Sequence, residues 1–396
     1  MEPQRKVDKA EAFPGTLLTA AVGVPRRTFL KLLGLLGAAF MLPSVRPLRA
    51  LAQALTEYGS DLHEALFYEK LSPTTVQCRL CFRNCLIETG GRGECRSREN
   101  IDGILYTLTY GRPVAIHIDP VEKEPLFHFL PGSDTLCEGT ATCNFACEHC
   151  INWEIALRMP EDVEAIPMTA DELVEIAVRE SVPTICFTYN EPTQQYEYVL
   201  DIVQRAKERG IRTTLHTNGG INPEPLMRLL PYLDSVAIDL KAFGDRFYRD
   251  IVHAELGPVL GTLERLAESG VWFEIVNLVI PTLNDGEDTI RQMCGWIVQH
   301  LGSAVPIHFS RFFPSHRLTR LPPTPLQTLE RAHGIALEEG IRFAYVGNVS
   351  GHRYAHTYCP NCGEMLIQRQ MFRVSEVGLR DGVCSYCEHP IPGMWK

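Results

Sequence analysis

Three cysteines fall within eight residues, Cys143-Asn144-Phe145-Ala146-Cys147-Glu148-His149-Cys150. Eight more form two further groups, Cys78, Cys81, Cys85 and Cys95 near one end and Cys359, Cys362, Cys384 and Cys387 near the other. Spacing of this kind constrains a fold strongly, because the members of each group must converge on one point. Thiolates are the preferred ligands of iron–sulfur clusters, and a four-iron cube ordinarily takes four of them. The tight central run supplies only three. A structural zinc site is closed by four ligands, so this run points to a [4Fe–4S] cluster that keeps one iron open. Cys137, Cys186 and Cys294 stand outside the groups and read as core residues. Clustering of this sort favours metal binding over disulfides.

The first flanking group surrounds a turn with Gly90, Gly91 and Gly93. Its four thiolates suit either zinc or an auxiliary iron–sulfur cluster, and spacing does not choose between them. Arg79, Arg83, Arg92, Arg96 and Arg98 lie around it, either to offset thiolate charge or to form an electropositive docking face. The last group is a pair of Cys-x2-Cys knuckles, a zinc pattern. In so short a tail a metal would replace the core that the segment cannot build.

The chain has 396 residues, 45% of them hydrophobic and 22% charged, which is ordinary for a soluble protein with one large core and appendages. Residues 1–52 hold 8 Lys and Arg against 3 Asp and Glu, leaving 30 against 45 for the rest. That acidic remainder repels nucleic acid and anionic membranes. Arg26-Arg27-Thr28-Phe29-Leu30-Lys31 precedes an apolar run from Leu32 to Leu42 and then small residues at Ala50 and Ala52, the order of a twin-arginine signal. Such a run rises about 16 Å as a helix, well short of a ~30 Å hydrocarbon core, so no stable membrane span is expected.

From Ser133 onward β-like runs alternate with amphipathic ones. Strands are expected at 135–140, 184–188, 213–217, 236–240, 273–279, 307–311 and 343–346. Helices are expected at 170–180, 195–209, 225–230, 258–269, 287–300 and 325–339, with Thr169 as an N-cap and Gly210, Gly270 and Gly340 at C-termini. This is an α/β pattern of parallel strands, either a fully or partly closed barrel or a doubly wound sheet, with its chemistry at the C-terminal strand ends. The polar motifs fall there: the cysteine run, Asn190-Glu191, Asn218, Asp239 with Lys241, Asn277, His308 with Arg311, and Asn348. The chain divides into a signal and linker (1–55), a cysteine-rich N-terminal subdomain (56–130), a core (131–350) and a zinc-ribbon-like tail (351–396).

Cys-Asn-Phe-x-Cys-x-x-Cys followed by Asn152-Trp153-Glu154-Ile155, together with Tyr189-Asn190-Glu191-Pro192-Thr193 and Asp239-Leu240-Lys241, resembles the AmmeMemoRadiSam system radical SAM enzymes, relatives of the pyruvate formate-lyase activating enzymes. The likeness extends from near Leu71 to the C-terminus. His149 and Ile151 stand where that family commonly has an aromatic residue and a Gln.

The resemblance implies a partial (β/α) TIM-like barrel in which S-adenosylmethionine (SAM) chelates the open iron. By the same resemblance Glu191 faces the SAM ammonium, Asn218 lies in the SAM site, Lys241 neutralises the methionyl carboxylate, and Asp239 or Asn277 reaches the ribose. His308 and Arg311 alternate with apolar positions and are expected in the barrel mouth, towards substrate. The implied reaction is reductive cleavage of SAM to a 5'-deoxyadenosyl radical that abstracts hydrogen from an unidentified substrate, with a protein glycine among the options. It needs an electron donor, and family association suggests AMMECR1-like and Memo-like partner proteins. The competing reading is an exported metal-binding or interaction protein on the same scaffold. The signal points to the periplasm or cell envelope, whereas SAM chemistry points to the cytoplasm.

Overall fold

Runs of β-branched and aromatic residues favour a pleated, half-buried surface, and here eight of them line up into one sheet. The computed structural model describes residues 62–396; the arginine pair and the apolar run after it lie outside the described residues. The sheet strands are β1 (Ala115–Pro120), β2 (Asp134–Gly139), β3 (Thr184–Phe187), β4 (Arg212–Thr217), β5 (Ser235–Asp239), β6 (Trp272–Val279), β7 (Ile307–Arg311) and β8 (Ala344–Gly347). They lie side by side in chain order. β2 to β8 pair in parallel, and β1 pairs antiparallel with β2. β1 and β8 are the two edges.

Parallel neighbours need crossover connections, which helices supply. They are α1 (Ala170–Arg179), α2 (Tyr196–Glu208), α3 (Pro223–Leu229), α4 (Leu256–Ser269), α5 (Glu287–His300) and α6 (Leu326–Glu338), close to the expected spans. Thr169 caps α1 in a reciprocal capping box with Glu172. Gly210, Gly270 and Gly340 take the positive φ that a helix stop needs.

Side chains alternate between the two sheet faces. Ile185, Phe187, Val236, Ile238, Ile275 and Phe309 point into the main core with the helices. The opposite face is covered by the segment between β1 and β2, where Val121, Leu126 and Phe129 pack on Ala237 and Val276. Each large apolar side chain buried in this way stabilises the fold by about 1.5–3 kcal/mol. Glu274 of β6, fully buried, fastens the covering segment by accepting the backbone N–H groups of Phe127 (3.0 Å) and His128 (2.7 Å).

Residues 62–110 form two small three-stranded antiparallel sheets that carry the first cysteine group. The tail forms another, from Thr357–Tyr358, Met365–Gln370 and Arg373–Val377, and the chain end returns to the covering segment. Leu130 donates to the Met394 carbonyl, and Met394 donates to that of His128, both at 2.7 Å. Residues 62–396 thus make one compact unit. Among the described residues no helix is long and apolar enough to cross a membrane.

Candidate active site

The cysteine run occupies the loop after β2, at the C-terminal side of the parallel strands. The loop is held from several directions. Ala146 and Glu148 donate to the carbonyls of Val252 (3.1 Å) and Ile251 (2.9 Å). Ser315 Oγ reaches the Cys150 carbonyl (3.1 Å), and Arg83 Nε the Asn144 carbonyl (2.7 Å). Two donors face the sulfur of Cys143, the Phe145 N–H at 3.4 Å and Asn218 Nδ2 at 3.6 Å. Burial pushes the Cys147 thiol up to about 12, against the pull of the Lys241 ammonium. Three thiols, two N–H donors aimed at sulfur and a neighbouring cation fit an anionic iron–sulfur cluster, which takes its cysteines as thiolates.

Glu191 follows β3 and is fully buried. Its carboxylate accepts the Thr193 N–H (3.1 Å), the hydroxyls of Thr193 (2.5 Å) and Thr217 (2.9 Å), and the Asn218 N–H (2.8 Å). It therefore joins the end of β3 to the end of β4, with its oxygens engaged inside the protein. Asn218 is locked further. Its Nδ2 donates to Asn144 Oδ1 (2.8 Å) and its Oδ1 accepts from Gly220 N (2.9 Å). A Cβ at Gly220 would stand 2.8 Å from the Phe145 ring, so only glycine lets this loop pass so close.

Asp239, the last residue of β5, and Lys241 just beyond it meet at 2.9 Å. His216 of β4, two residues before Asn218, lies 3.6 Å from Asp239 and 3.4 Å from Glu124 of the covering segment. Burial lowers the His216 pKa, but its two carboxylates outweigh burial and raise it to about 10. Burial alone would raise Asp239; Lys241 and His216 hold it well below the carboxylate range instead. A row of alternating charge, Glu124, His216, Asp239 and Lys241, thus runs from the covering segment to the cysteine loop. Glu124 also accepts from the Thr188 hydroxyl and the Cys137 thiol (3.4 Å).

Glu124 and His216 were not expected in the site. His216 carries no spacing that singles it out, and Glu124 lies in a segment without periodicity.

The structure separates the remaining candidates from this group. Asn277 turns to the helix side of the sheet, where its Nδ2 donates to the Leu240 carbonyl (2.8 Å) and meets Met293 Sδ of α5 (3.7 Å). His308, expected in the mouth, is instead fully buried against the covering segment. It bonds Glu274 at 2.7 Å and stacks on Tyr345. Arg311, three residues on, has the opposite strand parity and donates to the Thr324 carbonyl (2.9 Å). The two side chains therefore do not converge on one point. His149 is buried beside Phe247, and burial with the nearby Lys241 lowers it to about 3, so it packs as a neutral ring. Ile151 is exposed.

The two flanking groups differ in geometry. Cys359, Cys362, Cys384 and Cys387 bring their sulfurs within 4.8 Å of one another, with Cys359–Cys387 at 3.6 Å and Cys362–Cys384 at 3.7 Å. A tetrahedron with 2.3 Å zinc–sulfur bonds has edges of about 3.8 Å. The sulfurs of Cys78, Cys81, Cys85 and Cys95 are not drawn together so tightly. Most of the arginines around them are ion-paired: Arg79 with Glu69, Arg83 with Glu94, Arg92 with Glu99 and Glu161, Arg98 with Glu197. Cys294 joins the helix-side core, whereas Cys137 and Cys186 sit in register on the covered face of the sheet.

Residues 137–294 match the pattern of the radical SAM superfamily. The uncharacterized protein MJ0808 of Methanocaldococcus jannaschii is 44% identical over 318 residues, 80% of this chain and 95% of that protein. The pyruvate formate-lyase-activating enzyme of Clostridium pasteurianum is 27% identical over 39% of this chain and 66% of its own length. The 4-hydroxyphenylacetate decarboxylase activating enzyme of Clostridioides difficile is 24% identical over 47% and 64%. With the cysteine loop, the parallel sheet and these relatives together, the chain belongs to one family with the Methanocaldococcus protein inside the radical SAM superfamily, and it is an enzyme of that class.

Proposed function

We propose that the chain is an AmmeMemoRadiSam-type, activating-enzyme-like radical SAM enzyme built on a partial barrel. Cys143, Cys147 and Cys150 would hold a [4Fe–4S] cluster that, when reduced, supplies the electron for cleaving SAM to methionine and a 5'-deoxyadenosyl radical. The observation that carries this reading is the convergence of the three thiols with Asn218 and Lys241 at one end of the parallel strands. Lys241, beside both Asp239 and Cys147, offers a cation for the methionyl carboxylate. Asp239 has one oxygen on Lys241 and the other near His216, which orients it for ribose hydroxyls. Glu191 shapes the Thr217-Asn218 turn from behind. Likeness to activating enzymes supports hydrogen abstraction from a protein substrate, with AMMECR1-like and Memo-like proteins as partners, and the tail geometry supports zinc. The twin-arginine segment supports export.

The test is anaerobic reconstitution followed by reduction with dithionite. Wild type should convert SAM to 5'-deoxyadenosine and Cys147→Ala should not. A full iron complement without 5'-deoxyadenosine would reject the proposal.

A further inference from the structure

Cys78 ends the strand Thr75–Cys78, Cys81 and Cys85 lie in the turn that follows, and Cys95 lies beyond the strand Leu86–Glu88. Three of these thiols are buried and Cys85 is half-buried. Gly93 stands between two of them: a Cβ there would lie 3.6 Å from Cys95 Sγ and 3.8 Å from Cys85 Sγ. The cage is wider than the tail's tetrahedron, since no three of its sulfurs come within 4.8 Å of one another. A cluster of several irons needs that extra room, whereas a single ion needs the sulfurs close.

Two buried donors beside the cage have no acceptor among the described residues. Arg98, almost fully buried, has its terminal nitrogens fixed by the Leu66 carbonyl (2.9 Å) and the Glu197 carboxylate (2.6 Å), yet its Nε is unpartnered. Gln194 accepts from Ser97 Oγ (3.1 Å), which touches Cys95 Sγ (3.2 Å), and its Nε2 is unpartnered. Buried N–H groups are seldom left without an acceptor, and thiolate or sulfide sulfur is the acceptor that this cage would bring.

The same turn is fastened to the loop that touches the central cysteines. Cys81 bridges Ile221, the Phe82 N–H donates to the Gly220 carbonyl (3.2 Å), and the Phe82 and Phe145 rings meet at 5.6 Å. From that loop Asn218 Nδ2 reaches Cys143 Sγ at 3.6 Å. A continuous, rigid connection therefore joins one thiol group to the other.

We propose that Cys78, Cys81, Cys85 and Cys95 hold a second iron–sulfur cluster that relays single electrons to the cluster on Cys143, Cys147 and Cys150 through the 218–222 loop. With four thiolates it has no open iron for a ligand, which leaves electron transfer as its chemistry. A low-potential one-electron donor of the viologen or ferredoxin class reduces one ferric iron on the Cys85 side. That electron then passes to the central cluster, and no bond is made or broken. The relay rests on the radical SAM reading for its acceptor; the metal assignment does not.

The first experiment uses the full chain with Cys143, Cys147 and Cys150 all changed to Ala, reconstituted with iron and sulfide. It should retain about two to four irons with matching acid-labile sulfide and a reducible electron paramagnetic resonance signal. Zinc in the N-terminal group with no iron would overturn the proposal, and failure of SAM cleavage in wild type would leave this result unaffected. The second follows reduction of the central cluster by reduced methyl viologen in stopped flow. Cys85→Ser should slow it at least tenfold, and an unchanged rate would overturn the relay. If that variant does not fold, Phe82→Ala, which keeps every ligand, is read in the same way with at least a threefold slowing expected.

Discussion

The Glu191 carboxylate accepts the backbone N–H of Asn218 at 2.8 Å, so the end of β3 holds the turn after β4 in place. Its oxygens are turned into the protein, which makes Glu191 a support of the site as much as a part of it. Burial raises its pKa against the pull of its donors.

Glu191→Gln places an amide N–H₂ among groups that already donate. The variant should lose about 1–3 kcal/mol in denaturant unfolding, and SAM affinity should fall through displacement of the turn. Unchanged stability with a large loss of SAM binding would instead mark a direct contact with the ammonium.

Asn218→Ala removes the N–H facing Cys143 Sγ. A bond worth about 0.5–1.5 kcal/mol corresponds to roughly 20–65 mV for a one-electron couple. Redox titration of the central cluster should show its potential lowered by that order. An equal potential would mean that the donor does not act on the cluster.

His216 gives the fold a pH dependence of known sign. Its folded pKa, about 10, lies above its unfolded value of 6.5, so its stabilisation is complete below pH 6.5 and is lost as pH rises towards 10. Asp239 and Glu124 are held low after burial is outweighed, so their share is lost only in acid. In His216→Gln the decline of Tm between pH 7 and 10 should shrink to roughly half or less. Parallel Tm–pH curves for the two proteins would remove His216 from the charge row.

Cys362→Ser opens the tail's four-sulfur group. One equivalent of zinc should be lost with iron unchanged, and stability should fall by more than about 3 kcal/mol because a metal staple is removed. At the tail end the Leu130 N–H donates to Met394 and the Met394 N–H donates to His128, so exchange of the Leu130 and Met394 amides should speed up as well. Loss of iron with zinc retained would reverse the metal assignment.

Much of the fold was legible before any coordinates, because strand and helix periodicities are local. The span Glu287–His300 and the strand Ile307–Arg311 coincide with the expected ones, and the Thr169 cap follows from a hydroxyl three residues before Glu172. The cysteine groups were legible for the same reason, since spacing along the chain limits which thiols can share a metal. Side-chain direction was less so. Arg311 and His308 are three apart, and in a strand that sends them to opposite faces.

What the sequence determined by itself was the order of elements and the three groups of cysteines, both properties of short stretches of chain. Only the tertiary structure decided that Glu124 and His216 join Asp239 and Lys241, that His308 is sealed under Phe127, and that the Cys81 turn rests on Gly220. Each of these depends on segments tens to hundreds of residues apart being brought together. Burial then set the charges: the same imidazole is held protonated between two carboxylates at His216 and neutral beside Phe247 at His149.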